Sequence, residues 1–145
     1  MSDAPFFLDV NVPMYAAGKS HAYKAACAWV LTEIAHARLD AVIDAEIVQE
    51  VLYRFGAIGR WQTGVQMATN LLALVPTVLP VTVADMETAV TLFGRYGPKG
   101  VKARDVVHAA VMQTHGITHI ISTDTHFDHI EGVVRLDPQT LHAGR

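Results

Sequence analysis

Short apolar runs alternate along the chain with longer segments in which apolar residues recur every three or four positions. Residues 6–10 (Phe6-Phe7-Leu8-Asp9-Val10) and 41–43 (Ala41-Val42-Ile43) have no polar face, as expected of strands covered on both sides. Between them, residues 21–38 carry Ala25, Ala28, Trp29 and Ala35 at helical spacing, with Leu39 just beyond. Asp44 is placed to cap a helix with Glu46 in its first turn, running to about residue 59. Residues 61–74 repeat the helical pattern and stop before Pro76. Residues 78–83 read as a strand that Pro80 confines to a sheet margin. Residues 85–96 form another helix, closed by Gly97-Pro98, and residues 103–115 one that is apolar on most sides, ended by Gly116. Two last strands are expected at 118–122 and 133–136. Strands alternating with helices imply βαβ units and a parallel sheet, hence an α/β fold. With no repeat, low-complexity tract or long linker, residues 1–145 read as a single domain.

Composition narrows the picture. The chain is 51% hydrophobic and 17% charged, which excludes disorder and leaves less charge than the roughly 25% of an average soluble chain. That apolar surplus in a chain of 145 residues points to surface covered by a partner or a second copy. The net charge of −3 argues against an indiscriminate nucleic-acid binder but not against a nucleic-acid enzyme, whose metal would cancel several acids. Cys27 is the single cysteine, so an intrachain disulfide and a cysteine zinc cage are excluded. It reads as a small buried hydrophobe. The start, Met1-Ser2-Asp3-Ala4-Pro5, lacks the positive and apolar regions of a signal peptide. No run approaches the ~18 apolar residues of a membrane span, so the chain is expected in the cytoplasm.

Four carboxylates stand in or beside these apolar segments: Asp9, Glu50, Asp105 and Asp124. Burying a lone carboxylate is costly unless a cation, a proton or hydrogen bonds compensate. Taken singly, three have structural explanations: Asp105 suits a helix N-terminus, Asp124 a turn, Glu50 a solvated helix face. Asp9, an acid at the end of a strand after three large apolar residues, has few structural uses. In parallel α/β folds, sites form beyond the carboxyl ends of strands, where Asp9 and Asp124 both fall. Several carboxylates at one point would bind Mg²⁺ or Mn²⁺ rather than Zn²⁺.

Four segments in order carry a family resemblance. Phe7-Leu8-Asp9-Val10-Asn11, Val48-Gln49-Glu50-Val51-Leu52, Ala103-Arg104-Asp105-Val106-Val107-His108-Ala109-Ala110 and Ser122-Thr123-Asp124-Thr125-His126-Phe127-Asp128 together resemble a PIN-domain ribonuclease. Within that family the chain most resembles the VapC toxin of VapBC toxin–antitoxin modules, over residues 6 to about 138. The resemblance implies a three-layer α/β/α sandwich with a short, mostly parallel central sheet. It also implies Mg²⁺- or Mn²⁺-dependent cleavage of single-stranded RNA, whether tRNA, rRNA or mRNA. By position, Asp9, Glu50, Asp105 and Asp124 would be the catalytic, metal-binding acids, Asp128 a fifth metal ligand, and Asn11 and Ser122 polar supports. A homodimer and a cognate antitoxin are implied as partners. One departure stands out: the family usually caps the Glu-bearing helix with Ser or Thr, and here Asp44 holds that place.

Other residues weigh less. His108, a helical histidine among Val and Ala, reads as packed behind the site rather than as a ligand. His119, His126 and His129 cluster in sequence, but strand alternation and the intervening turn keep them from converging. Arg54, Lys102 and Arg104 flank the acid-bearing helices and are candidate RNA contacts, with solvated surface charge as the alternative. Trp61 and Tyr96 would stack on bases or serve as packing. A response-regulator receiver is the nearest other acid-rich α/β class, but Asp9 has no adjacent acid and no lysine follows Val134. A non-catalytic PIN-like scaffold is the remaining alternative, opposed by the complete acid quartet.

Overall fold

The computed structural model describes residues 4–145; residues 1–3, the first part of the segment read for a signal peptide, lie outside it. The elements run β1 (Phe6–Leu8), α1 (Asn11–Ala17), α2 (Lys24–Ala35), β2 (Ala41–Asp44), α3 (Ala45–Ala57), α4 (Trp61–Leu74), β3 (Val78–Leu79), α5 (Val83–Tyr96), α6 (Ala103–Thr114), β4 (His119–Ile121), β5 (Val134–Leu136) and α7 (Pro138–Ala143). All strand pairings are parallel, in the order β3-β2-β1-β4-β5, with Phe7 opposite both Val42 and Ile120. β1 is therefore central, and the chain winds outward through β2 and β3, then crosses to the other side through β4 and β5. This makes the gap between β1 and β4 the switch point of a doubly wound sheet, where such folds open a crevice at their carboxyl ends.

Helices cover both faces in a three-layer α/β/α sandwich. α1, α2 and α7 pack together, while α6 packs against α3 and α5, and α4 against α3. Phe7 and Leu8 point to opposite faces and are both fully buried, which is why three strand residues read as an unbroken apolar run. α6 is buried continuously from Asp105 to Met112, as its apolar sequence requires. Cys27 lies in this core, and so does Tyr96, whose hydroxyl accepts the Glu131 backbone N–H. Tyr96 is thus packing rather than a base platform, whereas Trp61 is exposed.

Three elements differ from the sequence reading. The strand expected over 78–83 ends at Leu79, because Pro80 has no N–H to extend the ladder and Thr82 opens α5 instead. Thr82 Oγ1 accepts from the Asp85 N–H and Asp85 returns a bond to the Thr82 N–H, a reciprocal cap. α1 was not read from sequence, since Pro13 stands within it; a proline in the first turn removes only an N–H that has no intrahelical partner. α7 was also missed, although Asp137 capping the Gln139 N–H with Pro138 at the first helical position is a recognisable start.

Candidate active site

Asp9 follows β1 directly, its own N–H continuing the ladder to the Ile121 carbonyl at 3.1 Å. Its side chain is fixed at both oxygens: Oδ1 accepts from the Val10 N–H at 2.8 Å, and Oδ2 from Ser122 Oγ at 2.6 Å and Asn11 Nδ2 at 3.1 Å. Leu8 pairs with Ile121, so the next residue on each strand, Asp9 and Ser122, must meet at the sheet's carboxyl edge. Asn11 also donates to Ser122 Oγ and accepts the Thr123 N–H through Oδ1, tying the start of α1 to the loop after β4. Asn11 and Ser122 thus stand where the sequence expected polar supports.

Glu50 projects from α3 and is buried. Asp44 begins that helix by accepting the Ile47 N–H at 3.0 Å through Oδ1, so the aspartate does preserve the cap. His108, fully buried on α6, reaches both acids: Nδ1 is 2.8 Å from Asp44 Oδ2 and Nε2 is 2.6 Å from Glu50 Oε1. Burial alone would depress the His108 pKa, but hydrogen bonds to the two carboxylates more than reverse this and hold it well above the ordinary value.

Asp105, third residue of α6, accepts the Lys102 N–H through Oδ2 at 3.2 Å. Burial, then repulsion from Asp9 and Asp124, pushes its pKa up to about 6. Asp9 is raised too, chiefly by burial, with His108 and the Ser122 hydrogen bond opposing and Glu50 reinforcing the rise. Asp124 is the least enclosed of the four, its side chain one-fifth exposed, with Oδ1 accepting the His126 N–H at 2.9 Å. The His126 ring lies against Gly100, where a φ of +90° favours glycine and a Cβ would stand 3.3 Å from the ring. The turn before α6 is thereby pressed onto the loop that carries Asp124.

Asp9 and Glu50 thus meet near the switch point, and the charges of Asp9 and Asp124 both reach Asp105. An oxygen of Asp9, an oxygen of Glu50 and a nitrogen of His108 lie within 4.8 Å of one another. Both His108 nitrogens are already engaged by carboxylates, so the donors left for a cation are oxygens, which suits a hard divalent ion. The fit rests most on Glu50 Oε2, which is buried with no hydrogen-bond partner among the described residues. Arg104 Nε stands 3.1 Å from it and an Arg54 nitrogen 3.8 Å, adding positive charge without hydrogen-bond alignment. The two guanidinium groups balance its charge, while its hydrogen-bonding capacity stays open.

Asp128 does not join this group. Both its oxygens are taken by Arg135, at 3.0 and 3.3 Å, and the same arginine reaches the Ser122 carbonyl and Asp137, so Asp128 braces the loop after β4. His119 sits at the opposite end of β4, edge-on to Phe6, and the three histidines do not converge. What the sequence reading missed is the task of His108 between two acids. The available signal was the charged cap Asp44, which needs a partner if it is buried.

The PIN domain family model matches residues 6–133. The chain belongs to the PIN domain family. Among its curated relatives is Ribonuclease VapC13 of Mycobacterium tuberculosis, 36% identical over 129 residues, or 89% of this chain and 97% of the relative. In fold, this PIN domain is similar to VapBC2 of Rickettsia felis, solved bound to a DNA fragment from its promoter, with a TM-score of 0.71, 13% identity, and 92% and 98% of the two chains covered. It also matches a toxin–antitoxin complex from Klebsiella pneumoniae at a TM-score of 0.62, 19% identity, and 92% and 97% coverage. At such identities the structural likeness is one of fold.

Proposed function

We propose that this PIN domain is a divalent-metal-dependent endoribonuclease that cleaves single-stranded RNA and acts as the toxin of a type II toxin–antitoxin pair. The reading is supported most by the approach of Asp9 and Glu50 to one another and by the repulsion that Asp9 and Asp124 exert on Asp105, with one buried oxygen of Glu50 accepting no hydrogen bond. In this reading the four acids hold Mg²⁺, or Mn²⁺ in its place. Such an ion, when bound, acidifies a water and offsets the charge that builds on the scissile phosphate. Asp9, locked by Val10, Asn11 and Ser122, sets where the ion sits. Asp124 is the most open of the four acids.

A groove of about 860 Å³ lies beside Glu50, lined in part by Tyr53, Arg54, Met86, Lys102 and Arg104. Its three cations suit the phosphates of an RNA strand, and Tyr53, 66% exposed, offers a ring for a base. The kinship with VapC ribonucleases supports RNA as the substrate and a cognate antitoxin as a protein partner. Exposed Val83, Met86, Val90 and Phe93 form a stripe along α5 that supports a homodimer. Among the described residues no helix is long and apolar enough to cross a membrane, and the reading puts the work in the cytoplasm.

The test is incubation of the purified protein with total RNA and Mg²⁺ or Mn²⁺. Discrete fragments are expected, abolished by EDTA, and reduced at least about a hundredfold by Asp9→Asn. An Asp9→Asn protein that cuts as well as the parent would refute the assignment, and metal-dependent binding without fragments would leave a scaffold.

A further inference from the structure

Where α1 gives way to α2, three rings meet. Tyr15 and His21 stack with centroids 4.6 Å apart at 29°, His21 and Tyr23 lie at 5.7 Å and 13°, and Tyr15 and Tyr23 at 5.3 Å. The His21 ring is held through Nδ1, which accepts the Tyr23 N–H at 3.1 Å, and Lys24 ties its ammonium group to the Gly18 carbonyl. The cluster is ordered, yet open. His21 is exposed and the tyrosines are half-buried. Neither tyrosine hydroxyl has a hydrogen-bond partner among the described residues, and neither is enclosed, whereas a buried tyrosine normally finds one. Lys19 and Lys24 flank the rings, and no acid stands in residues 11–32 to neutralise them.

Two contacts place the cluster at the rim of the acid site. Tyr15 stands one turn after Asn11 on the same face of α1, about 6 Å along the axis from the residue that donates to Asp9 and Ser122. Gln139 opens α7 just past the carboxyl end of β5, and its donation to the Ala22 carbonyl at 3.0 Å keeps the loop at that end of the sheet. The crossover through α1 and α2 leads from β1 to β2, while that through α5 and α6 leads back from β3 to β4. Right-handed connections therefore set the two helix pairs on opposite faces. The groove lined by Lys102 and Arg104 at the start of α6 and the three rings thus flank the acids from opposite sides.

We propose that Tyr15, His21 and Tyr23 form a base-stacking subsite for single-stranded RNA, across the acids from the groove, with Lys19 and Lys24 drawing in its phosphates. A strand laid from the groove to these rings crosses the carboxyl ends of β1 and β4, so a phosphate between the two subsites passes over the acids. Because every base has a face to stack, the subsite adds affinity and register rather than base choice. The rings are already stacked without RNA, so little ordering cost offsets the contact. The proposal rests on the reading of the acid site as a ribonuclease centre.

Two measurements test it. An oligoribonucleotide carrying 4-thiouridine, bound in EDTA so that it stays intact and then photo-cross-linked, should join to peptides spanning residues 11–24 as well as to the groove. Cross-links that leave residues 11–24 untouched would overturn the proposal. In the second, with Mg²⁺ present, Tyr23→Leu should raise KM for the oligoribonucleotide about tenfold with kcat within about twofold, since stacking holds the strand without touching the reacting phosphate. Tyr23→Phe, which keeps the ring, should match the parent protein within about twofold. His21→Ala should raise KM in the same way and serves if Tyr23→Leu fails to fold. A folded Tyr23→Leu or His21→Ala protein with the parent's KM would reduce the rings to a brace for the loop and overturn the proposal. If the parent protein cuts no RNA, the nuclease reading fails, while the cross-links still decide whether RNA lies on the rings.

Discussion

Asp105 shows how neighbours set the behaviour of one side chain in this pocket. One oxygen rests on the Lys102 amide, while burial and the charges of Asp9 and Asp124 push its pKa from 3.8 up to about 6. The folded state thus holds this proton more tightly than the unfolded chain does. The resulting stability is complete below about pH 4 and is lost as pH rises to about 6. With EDTA present, Asp105→Asn should therefore gain on the parent protein between pH 4 and pH 7, by on the order of 3 kcal/mol in urea unfolding. A difference between the two proteins that ignores pH would show that Asp105 is not crowded by the other acids. Asp9 was legible in sequence because a strand-end acid after Phe6-Phe7-Leu8 has little else to do. The His108 contacts were not, because its partners lie 64 and 58 residues away and only the fold brings them to its two nitrogens. Asp128 was misread for the same reason, its partner Arg135 being invisible until the loop after β4 closes.

Among the elements, those with a strong local pattern were read to within a few residues, as with α4 at Trp61–Leu74 and α6 at Ala103–Thr114. The failures have local physical causes. Pro13 looks like a helix breaker until it is counted as the third residue of α1. The strand read over residues 78–83 does lie at the sheet edge but stops at Leu79, because Pro80 has no N–H to extend the ladder. α7 depends on Asp137, which caps the Gln139 N–H at 2.8 Å and also receives Arg135. Asp137→Ala should lower stability by about 1 kcal/mol, read as a lower melting temperature, while metal-dependent RNA cleavage is retained. Loss of cleavage in a protein that still folds would mean that α7 bears on the site more directly than its packing against α2 indicates.

For the whole molecule, the alternation of strands and helices gave the α/β class, but strand order could not be read from it. That order matters most for function, because placing β1 beside β4 puts Asp9 against Ser122 and draws in Asp124. Part of the apolar surplus is exposed on α3 and α4, at Leu52, Tyr53, Trp61, Val65 and Leu72, and part along α5, where Val83, Met86, Val90 and Phe93 recur at helical spacing in a stripe. If that stripe joins two copies, Val90→Glu should turn a dimer into a monomer in size-exclusion chromatography with light scattering; a parent protein that is already monomeric would dispose of the idea. The account as a whole depends on one cation completing the acid cluster. Anomalous diffraction from crystals soaked in Mn²⁺ tests this most directly. It should give a peak about 2.1–2.3 Å from oxygens of at least two of Asp9, Glu50, Asp105 and Asp124. A peak elsewhere, or none at millimolar Mn²⁺, would contradict the account.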